Sequence, residues 1–163
     1  MTFHHFTTPR WAVTDGGWTD PAIVDRFARF CERVYGRSLN QYGTADQAQL
    51  DLLVDVLGLR ADRHALDAGC GTGVTTMYLA ERTGAAFTGI DRSEAAIGRA
   101  AARAEAAPDT RLTFLVNDMD ALDLPAASFD AVIAIESLYF PKDLAATLGW
   151  FKRMLRPGGR MGL

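Results

Sequence analysis

Three aspartates and a glycine-rich turn carry the chemistry legible in this chain. The run Ala65 to Thr76 reads ALDAGCGTGVTT: an apolar stretch, then Gly69, Gly71 and Gly73 around Cys70, then a helical pattern. Glycines at alternating positions let a backbone adopt positive φ and pass close to a ligand. A helix starting near Thr72 aims its free N–H groups and positive dipole end at the same place. Asp67 stands just before the first of these glycines. Beside a pyrophosphate its charge would cost about 1–4 kcal/mol at ~4 Å, whereas beside a cation it is favourable. The dinucleotide fingerprint G-x-G-x-x-G fails in both registers, where its third glycine would be Val74 or Thr76. The turn is therefore shaped for a nucleoside and charged against a phosphate.

Two further acids complete the set. Asp91 closes the next apolar run, ~20 residues beyond the turn, the spacing at which an acid accepts ribose hydroxyls. Asp118 closes the third, in LVNDMD, where a carboxylate can accept from an exocyclic amine while a neighbouring backbone N–H serves the ring.

These acids converge only if the strands are parallel neighbours. The segments HALDAG, AFTGID, RLTFLVND and FDAVIAIESLYF read as strands, the last a long one with its tail. Between them GVTTMYLAERTG, SEAAIGRAAARAEA (capped by Ser93) and KDLAATLGWFKRML read as helices. Strands alternating with helices predict an α/β, doubly wound, mostly parallel Rossmann-like sheet. Its strands lack polar alternation, as expected where helices cover both faces. Upstream, residues 1–19 read as an irregular arm. A helix is expected from Asp20 to about Gly36, and a second from about Thr44 to Leu57 with Gly58 as its stop. Residues 1–43 are expected to form a lid, and 44–163 the ligand-binding domain. At the far end RPGG reads as a turn into a fifth strand, RMGL, about four residues long. An unfinished edge strand predicts either a piece of a longer polypeptide or a sheet completed by another chain, and it invites dimerisation. The first of these is the expectation here.

Composition excludes several classes. The 163 residues carry a formal net charge of −3 and no Lys/Arg block, so nucleic acid and anionic membrane are not expected partners. Cys31 and Cys70 share no metal-ligand spacing, and a cytoplasmic protein with two reduced thiols is expected. His4 and His5 read as solvated rather than as ligands, so no metal is expected. The N-terminus lacks a signal-peptide pattern, and no apolar stretch reaches the ~18 residues of a membrane span.

LDAGCGTG, TGIDRSEAAI, NDMDALDLPAASFDAVIAIESLYF and LRPGGRM, in that order, resemble the motifs of the class I S-adenosylmethionine-dependent methyltransferases. They are most similar to the small-molecule, ubiquinone/menaquinone C-methyltransferase-like group, over about residues 40 to 163. The resemblance implies that Gly69 and Gly71 line the methionine part of S-adenosylmethionine and that Asp91 holds both ribose hydroxyls. Asp118 would take the adenine amine, Met119 would offer its backbone N–H, and Arg92 would flank the ring. Asp67 would order the turn, near the methionine ammonium. The family's sheet has seven strands ordered 3-2-1-4-5-7-6, of which this chain supplies five, the fifth incomplete. S-adenosylhomocysteine would be the product.

The acceptor side follows the fourth strand, at Glu136, Ser137, Tyr139 and Phe140. Glu136 could act as base, stabilise a cation, or bond the cofactor's methionine end or a backbone amide. Tyr139 and Phe140 read as pocket wall or as core. The Asn/Asp-Pro-Pro-aromatic motif of nucleobase methyltransferases is replaced by IESLYF, so nucleobase N-methylation is not expected. NQYG resembles the Tyr-Gly pair that small-molecule members place over the cofactor, which implies Tyr42 as a contact for the cofactor's carboxylate end, and Trp11 and Trp18 in the arm could cover the acceptor site. The expected function is methyl transfer to a small-molecule acceptor, with C-, N- and O-methylation open. A cofactor-binding module without methyl transfer is the alternative, and a nicotinamide oxidoreductase is disfavoured by the glycine spacing.

Overall fold

A computed structural model describes residues 29–34 and 45–163. Residues 29–34 are helical and belong to one unit of the chain, and residues 45–163 belong to a second. The rest of the helix expected from Asp20, the arm with Trp11 and Trp18, and the connector with Tyr42 lie outside the described residues.

In the second unit the elements run α1 (Gln47–Leu57), β1 (His64–Ala68), α2 (Val74–Thr83), β2 (Ala86–Asp91), α3 (Glu94–Glu105), β3 (Leu112–Val116), β4 (Phe129–Ile133), α4 (Leu144–Met154) and β5 (Leu155–Gly162). Local chemistry sets the helix ends. Asp46 caps α1 in a capping box: its carboxylate accepts the Gln49 N–H at 2.8 Å, and the Gln49 side chain accepts the Asp46 N–H at 2.9 Å. Gly58 and Gly84 end α1 and α2 in the left-handed conformation. Ser93 and Asp143 cap α3 and α4. Helix α1 therefore starts at Gln47 rather than near Thr44, and α2 at Val74 rather than near Thr72.

The five strands form one parallel sheet in the order β3-β2-β1-β4-β5. Strands β1, β2 and β4 are buried along nearly their whole length. The edge strands are not: β3 and β5 are largely exposed or half-buried, which corrects the expectation of helix cover on both faces throughout. Leu66, Ile90, Val132, Phe151 and Met154 make the centre of the core. Phe114 of β3 enters a cradle left by two glycines. A Cβ on Gly73 would come within 2.7 Å of its ring, and one on Gly89 within 2.6 Å. Gly73 also has φ 75°, so Gly73→Ala meets both a clash and an unfavourable backbone. It should lower stability by about 2 kcal/mol, read as a lower midpoint at unchanged slope in a urea titration.

Two expectations at the sheet ends need correction. Strand β4 stops at Ile133, and residues 134–143 are a loop rather than the tail of a long strand. Strand β5 begins directly after α4, and RPGG lies inside it as a bulge. Phe129 pairs with Leu155, but Ala131 already pairs with Arg160. Asp130 holds the bulge, with Arg156 Nη1 at 2.8 Å, Arg63 Nη1 at 3.1 Å and the His64 N–H at 2.9 Å. Burial would raise the Asp130 carboxyl, but the His64 amide and the two guanidiniums outweigh it and hold it below the usual range. No helix among the described residues is long and apolar enough to cross a membrane.

Candidate functional site

The strand order reverses between β1's two neighbours, β2 on one side and β4 on the other, so a crevice opens beyond their carboxyl ends. The turn after β1 is built there. The N–H groups of Gly69 and Cys70 both donate to the Ile90 carbonyl, at 2.8 and 2.9 Å, which docks the turn on the end of β2. Gly69, Gly71 and Gly73 have φ of 83°, 53° and 75°, so each glycine occupies a position that a side chain would strain. Gly69 abuts Ser137, whose Cβ a side chain at residue 69 would overlap. A Cβ on Gly71 would meet nothing within 4 Å, so this glycine faces open space. Gly73 instead serves the packing under the turn. The Cys70 sulfur lies against Gly89 on the sheet, so what Cys70 offers a ligand is its backbone. Burial pushes its thiol far above the ordinary range, with the Asp67 and Asp91 charges adding to the effect, and this leaves it unreactive as a nucleophile.

The acids sit on successive strand ends. Asp67 is buried in β1, and its Oδ2 accepts the Thr76 hydroxyl at 2.6 Å, joining β1 to α2 across the turn. Burial raises its carboxyl from 3.8 to about 6; the Thr76 hydrogen bond pulls the other way and the Asp91 charge adds to the rise. Asp91 ends β2 and is half-buried. Its Oδ2 accepts the Gly71 N–H at 3.0 Å and its Oδ1 the Ser93 N–H at 2.9 Å. Each oxygen keeps acceptor capacity for a ligand. Asp118 lies just past β3 and is exposed, with its Oδ1 accepting the Asp120 N–H at 2.9 Å; Met119 beside it is half-buried.

The loop after β4 supplies the other side. Glu136 is exposed and takes φ 53°, a costly conformation for a residue with a side chain. Ser137 is buried, and its hydroxyl donates to the Ala68 carbonyl at 2.7 Å. The rings of Tyr139 and Phe140 lie 4.5 Å apart, 67% and 44% exposed, so neither is core. Arg92 lies 5.9 Å over the Phe140 ring. Desolvation and the Glu136 charge both raise the Tyr139 phenol. The turn glycines, Asp67, Asp91 and Arg92 thus share one end of the sheet with Asp118, Met119, Glu136 and Tyr139. Thr76, Asp120 and Ser137 also belong there, and their roles depend on partners far off in sequence. This set of acceptors and negative charges suits a ligand with vicinal hydroxyls, an amine and a positive charge.

The chain is similar in sequence and fold to known proteins. The 27-O-demethylrifamycin SV methyltransferase of Amycolatopsis mediterranei is 37% identical over 149 residues, covering 85% of this chain and 55% of that protein. The geranyl diphosphate C-methyltransferase of Streptomyces coelicolor superposes with a TM-score of 0.63 at 27% identity, covering 71% of this chain and 42% of that one. The (4+2)-cyclase SpnF superposes at 0.65 with 30% identity, covering 69% and 42%. The chain spans about half the length of the relatives it matches. A family model described as a methyltransferase domain matches residues 65–159, more than half of the chain. With its strand order and its glycine turn, the chain belongs to the class I S-adenosylmethionine-dependent methyltransferases.

Proposed function

We propose that this chain binds S-adenosylmethionine at the ends of β1, β2 and β3 and directs its methyl group to a small, apolar acceptor lying against the loop after β4. The observation that carries this reading is the set of acids at three adjacent strand ends around a turn that faces open space at Gly71. Asp91 would hold the ribose hydroxyls. Asp118 and the Met119 N–H would take the adenine, flanked by Arg92. Gly69, Cys70 and Gly71 would line the methionine part through their backbone, and the charge on Asp67 would favour its ammonium. Tyr42 would contact the carboxylate end of the methionine part. Bound, the cofactor supplies an electrophilic sulfonium methyl. The chain's own task is alignment of the acceptor, worth about 7–11 kcal/mol. Glu136 is the residue we assign as base for an acceptor that holds its proton, worth roughly 10²–10⁴-fold. Tyr139, its phenol kept protonated, would donate a hydrogen bond to the acceptor.

The apolar character of the acceptor rests on Tyr139, Phe140 and Leu144, all substantially exposed on one loop and the helix start that follows it. Relatives named for 27-O-demethylrifamycin SV and geranyl diphosphate support a small organic molecule. Within the family we assign the chain to the ubiquinone/menaquinone C-methyltransferase-like group on its four motifs in order, LDAGCGTG, TGIDRSEAAI, NDMDALDLPAASFDAVIAIESLYF and LRPGGRM. The 30% identity with a protein described as a cyclase favours a second reading, a cofactor-binding fold that transfers no methyl.

Calorimetric titration with S-adenosylmethionine, S-adenosylhomocysteine and NADH tests the cofactor. Micromolar binding of the first two and none of NADH is expected, and tighter binding of NADH would overturn the reading. Labelled methyl transfer to any acceptor in a screen would exclude the second reading.

A further inference from the structure

The loop of residues 134–143 carries Glu136 and Tyr139; its Ala134 N–H donates to the Gly162 carbonyl of β5 at 3.0 Å, and it is tied further to β1, to the end of β2 and to the segment after β3. Ser137 Oγ ties it to β1 through the Ala68 carbonyl at 2.7 Å. Arg92, just past β2, lies over the Phe140 ring at 5.9 Å. The Lys142 N–H donates to both carboxylate oxygens of Asp120, at 3.0 and 3.2 Å, tying the loop to the segment after β3.

The tie to Asp120 has a second end. The Asp120 N–H donates to Asp118 Oδ1 at 2.9 Å, and Asp118 is the acid assigned to the adenine amine. One residue thus joins the adenine acid through its amide and the acceptor-side loop through its carboxylate. We infer that Asp120 is a positioning residue that couples occupation of the adenine subsite to the order of the acceptor loop. The inference rests on the cofactor reading above. A ligand engaging Asp118 and the Met119 N–H fixes the backbone of residues 118–120. Fixing that backbone fixes the carboxylate that receives the Lys142 N–H, so the loop pays less entropy to hold Glu136 and Tyr139 in place. Cofactor binding would then precede and prepare acceptor binding. The two ends are separable, because Asp120→Ala removes the carboxylate and leaves the amide on Asp118.

Amide hydrogen exchange on the full chain, with and without S-adenosylhomocysteine, tests the coupling in wild type, Asp120→Ala and Asp120→Asn. In wild type the ligand should slow exchange at Lys142 and across residues 137–143 by about tenfold. At saturating ligand Asp120→Ala should reduce that protection to under about twofold while the ligand's Kd rises by about fivefold to tenfold, the reciprocal of the coupling lost, and Asp120→Asn, which keeps one acceptor oxygen, should fall between. Equal protection in wild type and both variants, with ligand bound, overturns the coupling and leaves the cofactor reading standing. Failure of wild type to bind the ligand overturns the cofactor reading and this inference with it. Should Asp120→Ala fail to fold, Asp120→Asn carries the same comparison.

Discussion

Asp91→Ala should weaken S-adenosylmethionine binding by about 10²–10⁴-fold. The carboxylate is assigned two ribose hydroxyls, and hydrogen bonds to a charged group are worth about 1.5–3 kcal/mol each. Truncation does a second kind of damage. Asp91 Oδ2 is the acceptor for the Gly71 N–H, so the middle glycine of the turn loses the partner that fixes it to the end of β2. The fold should tolerate the change, because Gly69 and Cys70 still donate to the Ile90 carbonyl and Ser93 still caps α3. A drop of only a few degrees in Tm is expected, alongside near-complete loss of calorimetric heat. Asp91→Asn keeps one acceptor oxygen and loses the charge, so it should bind about tenfold more weakly than wild type. An alanine variant that binds within about threefold of wild type would remove Asp91 from the ribose.

What the residues reveal in order along the chain, and what they conceal, divides by the reach of the contact. The parallel sheet and the inner strands are legible because β1, β2 and β4 are short apolar runs bounded by turns, and burial alone produces that pattern. The glycine turn and the strand-end acids are legible because one strand-turn-helix unit and its neighbours suffice to bring them together. The end of β4 is concealed: Ala134 to Phe140 is as apolar as a strand, yet Glu136 takes a positive φ and Ser137 turns inward to the Ala68 carbonyl. That bond spans 69 residues, and no local pattern announces it. The bulge in β5 has the same origin, since RPGG is a turn by composition while Arg156 is drawn to Asp130 across the neighbouring strand. Asp120 is concealed differently. It looks like one more acid in a polar loop, and only the Lys142 amide gives it a task.

Asp67→Asn should make the protein more stable and a poorer binder at the same time. Burial lifts the Asp67 carboxyl from 3.8 to about 6, so the folded chain holds its proton more tightly than the unfolded chain does. The sign follows: stability from this group is full below about pH 3.8, declines as pH rises toward 6, and is lost above it. Two pH units at ~1.4 kcal/mol each place the cost of the ionised form at about 3 kcal/mol at neutral pH. Asparagine keeps an oxygen for the Thr76 hydroxyl and removes the charge, at the expense of burying an amide. A net gain of about 2 kcal/mol at pH 8 is expected, or roughly 6 °C in Tm, shrinking to nothing near pH 4. His64, at the opposite end of β1, is lowered by burial and by Arg156, so its contribution is lost in the other direction, as pH falls; the difference between variant and wild type cancels it. A cationic ligand reverses the cost, because its charge favours ionised Asp67. Wild-type affinity for S-adenosylmethionine should therefore rise about tenfold from pH 5 to 7 with release of a proton, while that of Asp67→Asn stays flat and about tenfold weaker at pH 7. A variant less stable than wild type at pH 8 would mean the carboxylate is held ionised by its surroundings at no cost. A pH-independent wild-type affinity would mean that the ligand's charge does not reach Asp67. The combination expected here, stability gained and affinity lost, is the signature of a buried charge kept for a cation that only the bound state supplies.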